Sequence, residues 1–413
     1  MIKESVLREL VKDSLERELP KLIKRDLEVS LDIKIKRALS IIGPRRAGKT
    51  YYMFQLMKNI PENRLYLNFE DYRLEGASHK DFARLIEIYY QMSPENKKEK
   101  VYFFFDEIQN IAGWERIVRH LLDNEKCQIV LTGSSSKLLS KELATQLRGR
   151  TLSYALLPFS FKEFLKAKKF KLSDYPSSYE KAKIIRYLEE YLKFGGYPEV
   201  VLFGGKENII KEIWEVTIAR DIMERWEIRN PKVLKLLIKA LKESKQFSTN
   251  KFYNYLKSFG LKVSKNTLYN YLEYLKDSFV VFTLHKYSPT YKDIEKSIPK
   301  IYLADVGLYQ ESLELGRALE NIMFLELLKK GKDIYYYITK SGQEIDFYLK
   351  SEKLFIEVTY DYDEGHVKRM IKAMEETRVK KGLIITWNYE EEKKQKGKKI
   401  KIVPLWKWLL GLV

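Results

Sequence analysis

The chain has 413 residues, 45% hydrophobic and 32% charged, too long for one ordinary core and too apolar for a disordered protein, so two to four domains are expected. Its formal net charge of +19 points to a polyanionic partner, nucleic acid or acidic lipid; the lysine–glutamate surfaces of heat-adapted proteins explain many charges but not an excess of one sign. One cysteine, Cys127, and four histidines exclude an intramolecular disulfide and a cysteine-rich zinc site, while the charged N-terminus and the lack of any apolar run near about 18 residues lead us to expect a soluble cytoplasmic protein without membrane contact.

Ala38-Leu39-Ser40-Ile41-Ile42 reads as a buried strand and Tyr51–Met57 as a helix. Between them, Gly43, Pro44, Arg45, Arg46, Ala47, Gly48, Lys49 and Thr50 fit the pattern G-x-x-x-x-G-K-[ST] without substitution. A strand, a glycine-bearing loop and a helix in that order let backbone N–H groups wrap a nucleotide's phosphates where the helix dipole favours negative charge. Lys49 would reach the β- and γ-phosphates, and Thr50 would ligate Mg²⁺.

Arg64–Asp71 looks like another strand ending in polar groups, and Val101-Tyr102-Phe103-Phe104-Phe105-Asp106-Glu107 like a central parallel strand with two acids at its carboxyl edge. That edge is where open α/β sheets place ligands, so Asp106 would hold Mg²⁺ and Glu107 would polarise the attacking water. A third strand, Gln128–Thr132, runs into Gly133-Ser134-Ser135-Ser136, and Cys127, at the head of the same apolar run, reads as a buried strand residue. Ser134, with Thr132 next, is the candidate to sense the γ-phosphate, although these hydroxyls also suit a helix cap. Leu147-Arg148-Gly149-Arg150 precedes a strand-like run; Arg150, with Arg148 as the alternative, is the candidate arginine donated to a neighbouring subunit's γ-phosphate, surface ion pairing being the other reading.

From Phe161 to Asn230 the spacing is helical, broken at Gly195-Gly196-Tyr197-Pro198, as suits a helical lid. From Pro231 an amphipathic helix leads to two short helices with Ser248 and Ser264 as N-caps, then to strands at Phe279–Leu284 and near Lys300–Leu303. Helix, helix, helix, ribbon is the order of a winged helix, in which Lys265, Asn266, Tyr269 and Asn270 would face DNA; a protein-packing role is the alternative. The last segment reads as an amphipathic helix (Ala318–Leu327), three strands, the helix Val367–Glu376 and a further strand. This order resembles the restriction-endonuclease-like fold, whose acids, here Glu320, Asp346 and Glu357, can gather a divalent metal for phosphodiester hydrolysis. Where that fold carries a lysine two residues after the last acid, this chain has Thr359; Lys353 and Lys340 are possible substitutes. Glu390–Lys401 reads as a solvated surface loop and Pro404–Leu410 as a docking helix, with core packing rather than membrane contact as the other reading.

Together these residues resemble the archaeal and bacterial AAA+-type ATPases with a DUF4143-like C-terminal region. The resemblance rests on Gly43–Thr50, on Phe105-Asp106-Glu107-Ile108-Gln109 followed by Trp114, and on Leu131-Thr132-Gly133-Ser134-Ser135. It continues in Gly149-Arg150, Pro158-Phe159-Ser160-Phe161, Gly195-Gly196-Tyr197-Pro198, Ala219-Arg220-Asp221-Ile222 and the acids Glu320, Asp346 and Glu357. It implies ATP rather than GTP. The expected fold is α/β: a P-loop NTPase (AAA+-like) core over 1–160, a helical lid over 161–230, a winged helix over 231–299 and a restriction-endonuclease-like domain over 300–413. The expected activity is ATP hydrolysis with Mg²⁺, coupled to DNA and to a homo-oligomer formed with ATP. A nucleotide-gated scaffold acting on protein partners, or a metal-dependent nuclease, is the competing expectation.

Overall fold

The computed structural model describes residues 1–33, 35–58, 60, 63–133, 147, 149–312 and 314–412. The chain divides into two compact units, Met1–Leu157 and Pro158–Val413.

The first unit runs α1 (Glu4–Leu15), β1 (Ala38–Ile42), α2 (Lys49–Met57), β2 (Arg64–Asn68), α3 (His79–Met92), β3 (Val101–Asp106), α4 (Trp114–Asn124), β4 (Cys127–Gly133) and β5 (Thr151–Ala155). The five strands are parallel, in the order β2-β3-β4-β1-β5. The carboxyl ends of β1 and β3 therefore flank β4 in mid-sheet, where open α/β sheets hold ligands. Helices cover both faces, which is why β3 reads as an unbroken apolar run. Phe105 meets Phe82 of α3 edge-on and stacks on Phe103 on one side, while Phe104 joins Tyr52 and Met53 of α2 on the other.

The second unit begins with α5 (Phe161–Ala167), α6 (Ser178–Phe194), α7 (Pro198–Leu202) and α8 (Lys206–Val216), the last continuing as a π-helical stretch, Thr217–Glu224. Ser160 and Glu163 form a reciprocal capping box that starts α5. The Phe159 amide donates to the Gly196 carbonyl at 2.8 Å, the Tyr191 hydroxyl donates to the Phe159 carbonyl at 2.7 Å, and the Gly196 amide donates to Asp305 Oδ2 at 2.7 Å. The Pro-Phe-Ser-Phe and Gly-Gly-Tyr-Pro elements are thus two sides of one joint. A Cβ at Gly195 would collide with the Asp305 carboxylate, which accounts for the glycine.

Next come α9 (Pro231–Glu243), α10 (Thr249–Ser258), α11 (Lys265–Asp277), β6 (Val281–Leu284), α12 (Tyr291–Lys296) and β7 (Lys300–Leu303). Ser248 and Ser264 cap α10 and α11, accepting from the Lys251 and Thr267 amides. β6 and β7 pair antiparallel, so a boundary at 299/300 would cut through this ribbon, which ends at Leu303.

The chain closes with α13 (Leu315–Lys329), β8 (Ile334–Ile338), β9 (Glu344–Leu349), β10 (Leu354–Val358), α14 (Glu364–Thr377), β11 (Lys381–Thr386), β12 (Glu391–Gln395), β13 (Lys398–Pro404) and α15 (Leu405–Leu410). These strands form a mixed sheet in the order β12-β13-β11-β10-β9-β8. Two expectations are corrected here. α13 is not amphipathic: every residue from Arg317 to Leu327 is buried. The lysine–glutamate run is not a loop but an edge hairpin, turned at Lys396 and Gly397, both with positive φ. Charge on an edge strand deters pairing with other chains.

Candidate functional site

Gly43 leaves β1 so close to the neighbouring chain that a Cβ would collide with the Leu156 carbonyl, and the loop then turns into α2. Lys49, 5% exposed, donates from Nζ to the carbonyls of Gly43 (3.1 Å) and Pro44 (3.2 Å) and stands 3.7 Å from Glu107 Oε1. The Thr50 hydroxyl donates to Asp106 Oδ2 at 2.7 Å, and the Tyr66 hydroxyl donates to the same oxygen at 2.9 Å. Thr132 donates to Asp106 Oδ1 and accepts the Glu107 amide at 2.9 Å. Burial pushes the Asp106 carboxyl above its ordinary value, against the hydrogen bonds from Thr132 and Thr50, while the Glu107 charge adds to the rise. Such a carboxylate is a group that a bound cation would stabilise in its charged form. The oxygens of Thr50 and Asp106 are hard donors of the kind Mg²⁺ takes, so these residues fit a magnesium–nucleotide complex.

Glu107 sits in the left-handed region at φ 50°, a conformation that costs on the order of 1–3 kcal/mol in a non-glycine residue. Its amide is fixed by Thr132, and its Oε2 accepts from Gln109 Nε2 at 2.5 Å. Arg45 pairs with Glu70 at 3.7 Å; burial, then the nearby Glu107, raises the Glu70 carboxyl.

The loop is also braced by a residue that motif reading passes over. Arg25, 6% exposed, donates to the Ala47 carbonyl within the loop (2.8 Å) and to the Leu157 carbonyl (2.6 Å), and its amide donates to Gln55 of α2 at 2.7 Å. Tyr66 belongs to no motif either. Its only signal is a tyrosine in β2 aligned with Phe104, one strand from Asp106.

Among the sequence-derived candidates, Gly43–Thr50, Asp106, Glu107 and Thr132 converge. Ser134 and Arg148 lie outside the described residues. Arg150 does not join them within its own chain. Its carbonyl accepts the Ala38 amide at the start of β1, about 17 Å along the strand from the phosphate loop, and its side chain pairs with Asp123.

In the second unit, Lys265, Asn266, Tyr269 and Asn270 are exposed on one face of α11, while Leu268, Tyr271, Leu272 and Leu275 face inward. Glu320, Asp346 and Glu357 do not form the expected metal centre. Lys300 Nζ, 1% exposed, lies 2.8 Å from Glu320 Oε1, 2.9 Å from Asp346 Oδ1 and 2.7 Å from Glu344 Oε1, and Arg369 pairs with Glu357. Burial alone would lower the Lys300 ammonium, but Asp346, Tyr302, Glu320 and Glu344 hold it well above the ordinary lysine value. Burial, then the Asp346 charge, pushes Glu357 up to about 8. Among the described residues no group of carboxylates, imidazoles or thiols is arranged to hold a metal ion, and no helix is long and apolar enough to cross a membrane.

Three family models match in succession: an AAA domain over residues 35–165, a domain of unknown function (DUF8612) over 185–318 and a second (DUF4143) over 315–408. The chain is 40% identical to an uncharacterized protein of Methanocaldococcus jannaschii, over 99% of this chain and 96% of that one. It is 31% identical to an uncharacterized protein of Haemophilus influenzae, over 90% and 93% respectively. Among solved structures, a Walker-type ATPase of Pyrococcus abyssi is similar over 75% of this chain and 95% of that one, at 15% identity and a TM-score of 0.45. With a five-stranded parallel sheet that closes its phosphate loop against Asp106 and Glu107, and with relatives alike along nearly their full length, the chain belongs to the AAA-type ATPases that carry a C-terminal DUF4143 domain.

Proposed function

We propose that this protein hydrolyses ATP and that nucleotide state governs engagement of DNA by residues 231–303. The observation that carries the first half is the meeting of Lys49, Thr50, Asp106 and Glu107 at the carboxyl edge of the parallel sheet. Loop amides at the start of α2 and the Lys49 ammonium would bind the phosphates. Thr50 and Asp106 would hold Mg²⁺, which when bound neutralises charge on the β- and γ-phosphates. Glu107, held through its amide by Thr132 and through its carboxylate by Gln109, would orient and polarise the water that attacks in line.

Support for the second half comes from charge. The stretch 245–272 carries Lys245, Lys251, Lys257, Lys262 and Lys265, all exposed, and no aspartate or glutamate. Lys265, Asn266, Tyr269 and Asn270 of α11 lie within it, at the position of a recognition helix in a winged-helix reading, and the exposed Glu273 follows it one turn on. Because Arg150 lies away from its own phosphate loop, any contact it makes with a γ-phosphate is with a second protomer's nucleotide; ATP-dependent growth in particle mass tests that arrangement.

The deciding experiment follows duplex DNA binding by fluorescence anisotropy with ATP and with ADP, across ionic strengths, in the parent and in Glu107→Gln. Binding that weakens with salt and differs between nucleotides is expected, with Glu107→Gln retaining ATP unhydrolysed. No duplex binding at low salt with ATP would remove the DNA half, and turnover at the parent rate in Glu107→Gln would remove Glu107 as the catalytic acid.

A further inference from the structure

The fold order of the C-terminal sheet brings Glu320 of α13, Asp346 of β9 and Glu357 of β10 towards one another, as a metal-dependent hydrolase would need. What they surround is an ammonium. Lys300 Nζ lies 2.7–2.9 Å from Glu344, Glu320 and Asp346, the distance of charge-assisted hydrogen bonds. Mg²⁺ would need its oxygen ligands at about 2.0–2.1 Å around the same point, so ammonium and metal exclude each other there. Other acceptors are also engaged: Asp346 Oδ2 takes the Val358 amide at 2.9 Å, Glu320 Oε1 also takes the Tyr302 hydroxyl at 2.6 Å, and Glu357 Oε1 is paired with Arg369, while Glu357 Oε2 is buried without a hydrogen-bond partner.

The cation comes from β7, the second strand of the ribbon, rather than from the sheet that supplies Asp346 and Glu357. Its neighbours reinforce that tie. Gln246 Nε2 donates to Glu344 at 2.6 Å, Tyr302 stacks on Phe324 of α13 with ring centres 4.1 Å apart, and Asn321 takes the Leu303 amide and returns a bond to the Leu303 carbonyl, both at 2.9 Å. Lys300, Tyr302, Glu320 and Asn321 are each buried, while Asp346 and Glu344 are partly exposed at the rim of the cluster.

We infer that Lys300 is a resident cation standing in place of a divalent metal, and that this centre fastens the β6–β7 ribbon to the C-terminal sheet rather than cleaving phosphodiester bonds. The inference is independent of the ATP reading, since it concerns different residues and needs no nucleotide.

Mn²⁺ is the probe, followed by electron paramagnetic resonance and by the thermal midpoint, beside a supercoiled-plasmid nicking assay. The parent protein should show no Mn²⁺ binding and no nicking that Asp346→Asn removes. Lys300→Ala should acquire one Mn²⁺ site, lost again in Lys300→Ala/Asp346→Asn, and its lowered midpoint should rise with Mn²⁺. Parent binding or nicking abolished by Asp346→Asn overturns the inference, as does a folded Lys300→Ala that takes up no Mn²⁺. If Lys300→Ala does not fold, Lys300→Met/Glu320→Gln/Asp346→Asn, which removes the ammonium together with its two least exposed carboxylates, should recover much of the loss; a triple variant no more stable than Lys300→Met overturns the fastening role.

Discussion

Thr50 donates its hydroxyl hydrogen to Asp106 across 2.7 Å, although 56 positions separate the two residues in the chain. That contact joins the helix after β1 to the end of β3, and it depends on the β2-β3-β4-β1-β5 strand order. Thr132 completes the arrangement from β4, satisfying both Asp106 and the Glu107 amide.

Thr132→Val keeps the shape but removes a donor to Asp106 and the acceptor for the Glu107 amide. Leaving such buried groups unmatched costs about 1–3 kcal/mol each, so urea midpoints should fall clearly. ATP turnover should fall further than ATP affinity, because Glu107 loses its backbone anchor while Lys49 and the loop remain. Unchanged turnover at saturating ATP would contradict that division of labour.

Arg25→Ala should loosen the phosphate loop from outside the motif. Its guanidinium bonds to Ala47 and Leu157 carry charge-assisted strength, and their loss is expected to cost about 3 kcal/mol in chemical denaturation. A fall in nucleotide affinity of roughly tenfold, about 1.4 kcal/mol, should accompany it. Arg25→Lys, with one ammonium in place of a two-armed donor, should restore only part.

Asp305 gives the second unit a pH signature. Its buried carboxyl is pushed up to about 7 by desolvation, against the lowering bonds from the Gly196 and Gly307 amides. Unfolded, it returns to about 3.9, so between those values the folded state holds the extra proton. Stability from this group is therefore full at the acid end of the window and declines by up to about 1.4 kcal/mol per pH unit as pH rises to 7. The stability difference between the parent and Asp305→Asn should shrink over that range and then level off; a pH-independent difference would contradict the assignment.

Lys265→Ala should weaken duplex binding and reduce the slope of log affinity against log salt by about 1, the signature of one lost phosphate contact. Tyr269→Ala should weaken binding without changing that slope, since the ring carries no charge. Equal slopes for Lys265→Ala and the parent would place the DNA contact elsewhere.

The phosphate loop and the strand bearing Asp106 and Glu107 were legible because each is a contiguous pattern whose flanking periodicity names its own element. Ser248 and Ser264 were legible as caps for the same reason. Arg25, Tyr66 and Lys300 were not, since each acts on residues brought to it only by chain closure. The acids Glu320, Asp346 and Glu357 could be picked out by fold order, but the cation beside Glu320 and Asp346 comes from β7, a strand outside the sheet that carries Asp346. α13 looked amphipathic because Arg317, Glu320 and Asn321 are polar, yet all three are buried and bonded inside the unit. The hairpin near the C-terminus was hidden by its charge, which suits an exposed edge as well as a loop.

Arg317 donates to the carbonyls of Leu241 (2.9 Å), Ser244 (2.7 Å) and Lys242, which close α9, from the first turn of α13. The DUF8612 and DUF4143 matches meet at that same turn, over residues 315–318. A gene cut there would part a buried guanidinium from its carbonyls and Asn321 from Leu303 in a single stroke. The seam between the two segments is therefore no place to divide the polypeptide for expression or for domain exchange, and residues 158–413 should melt as one body.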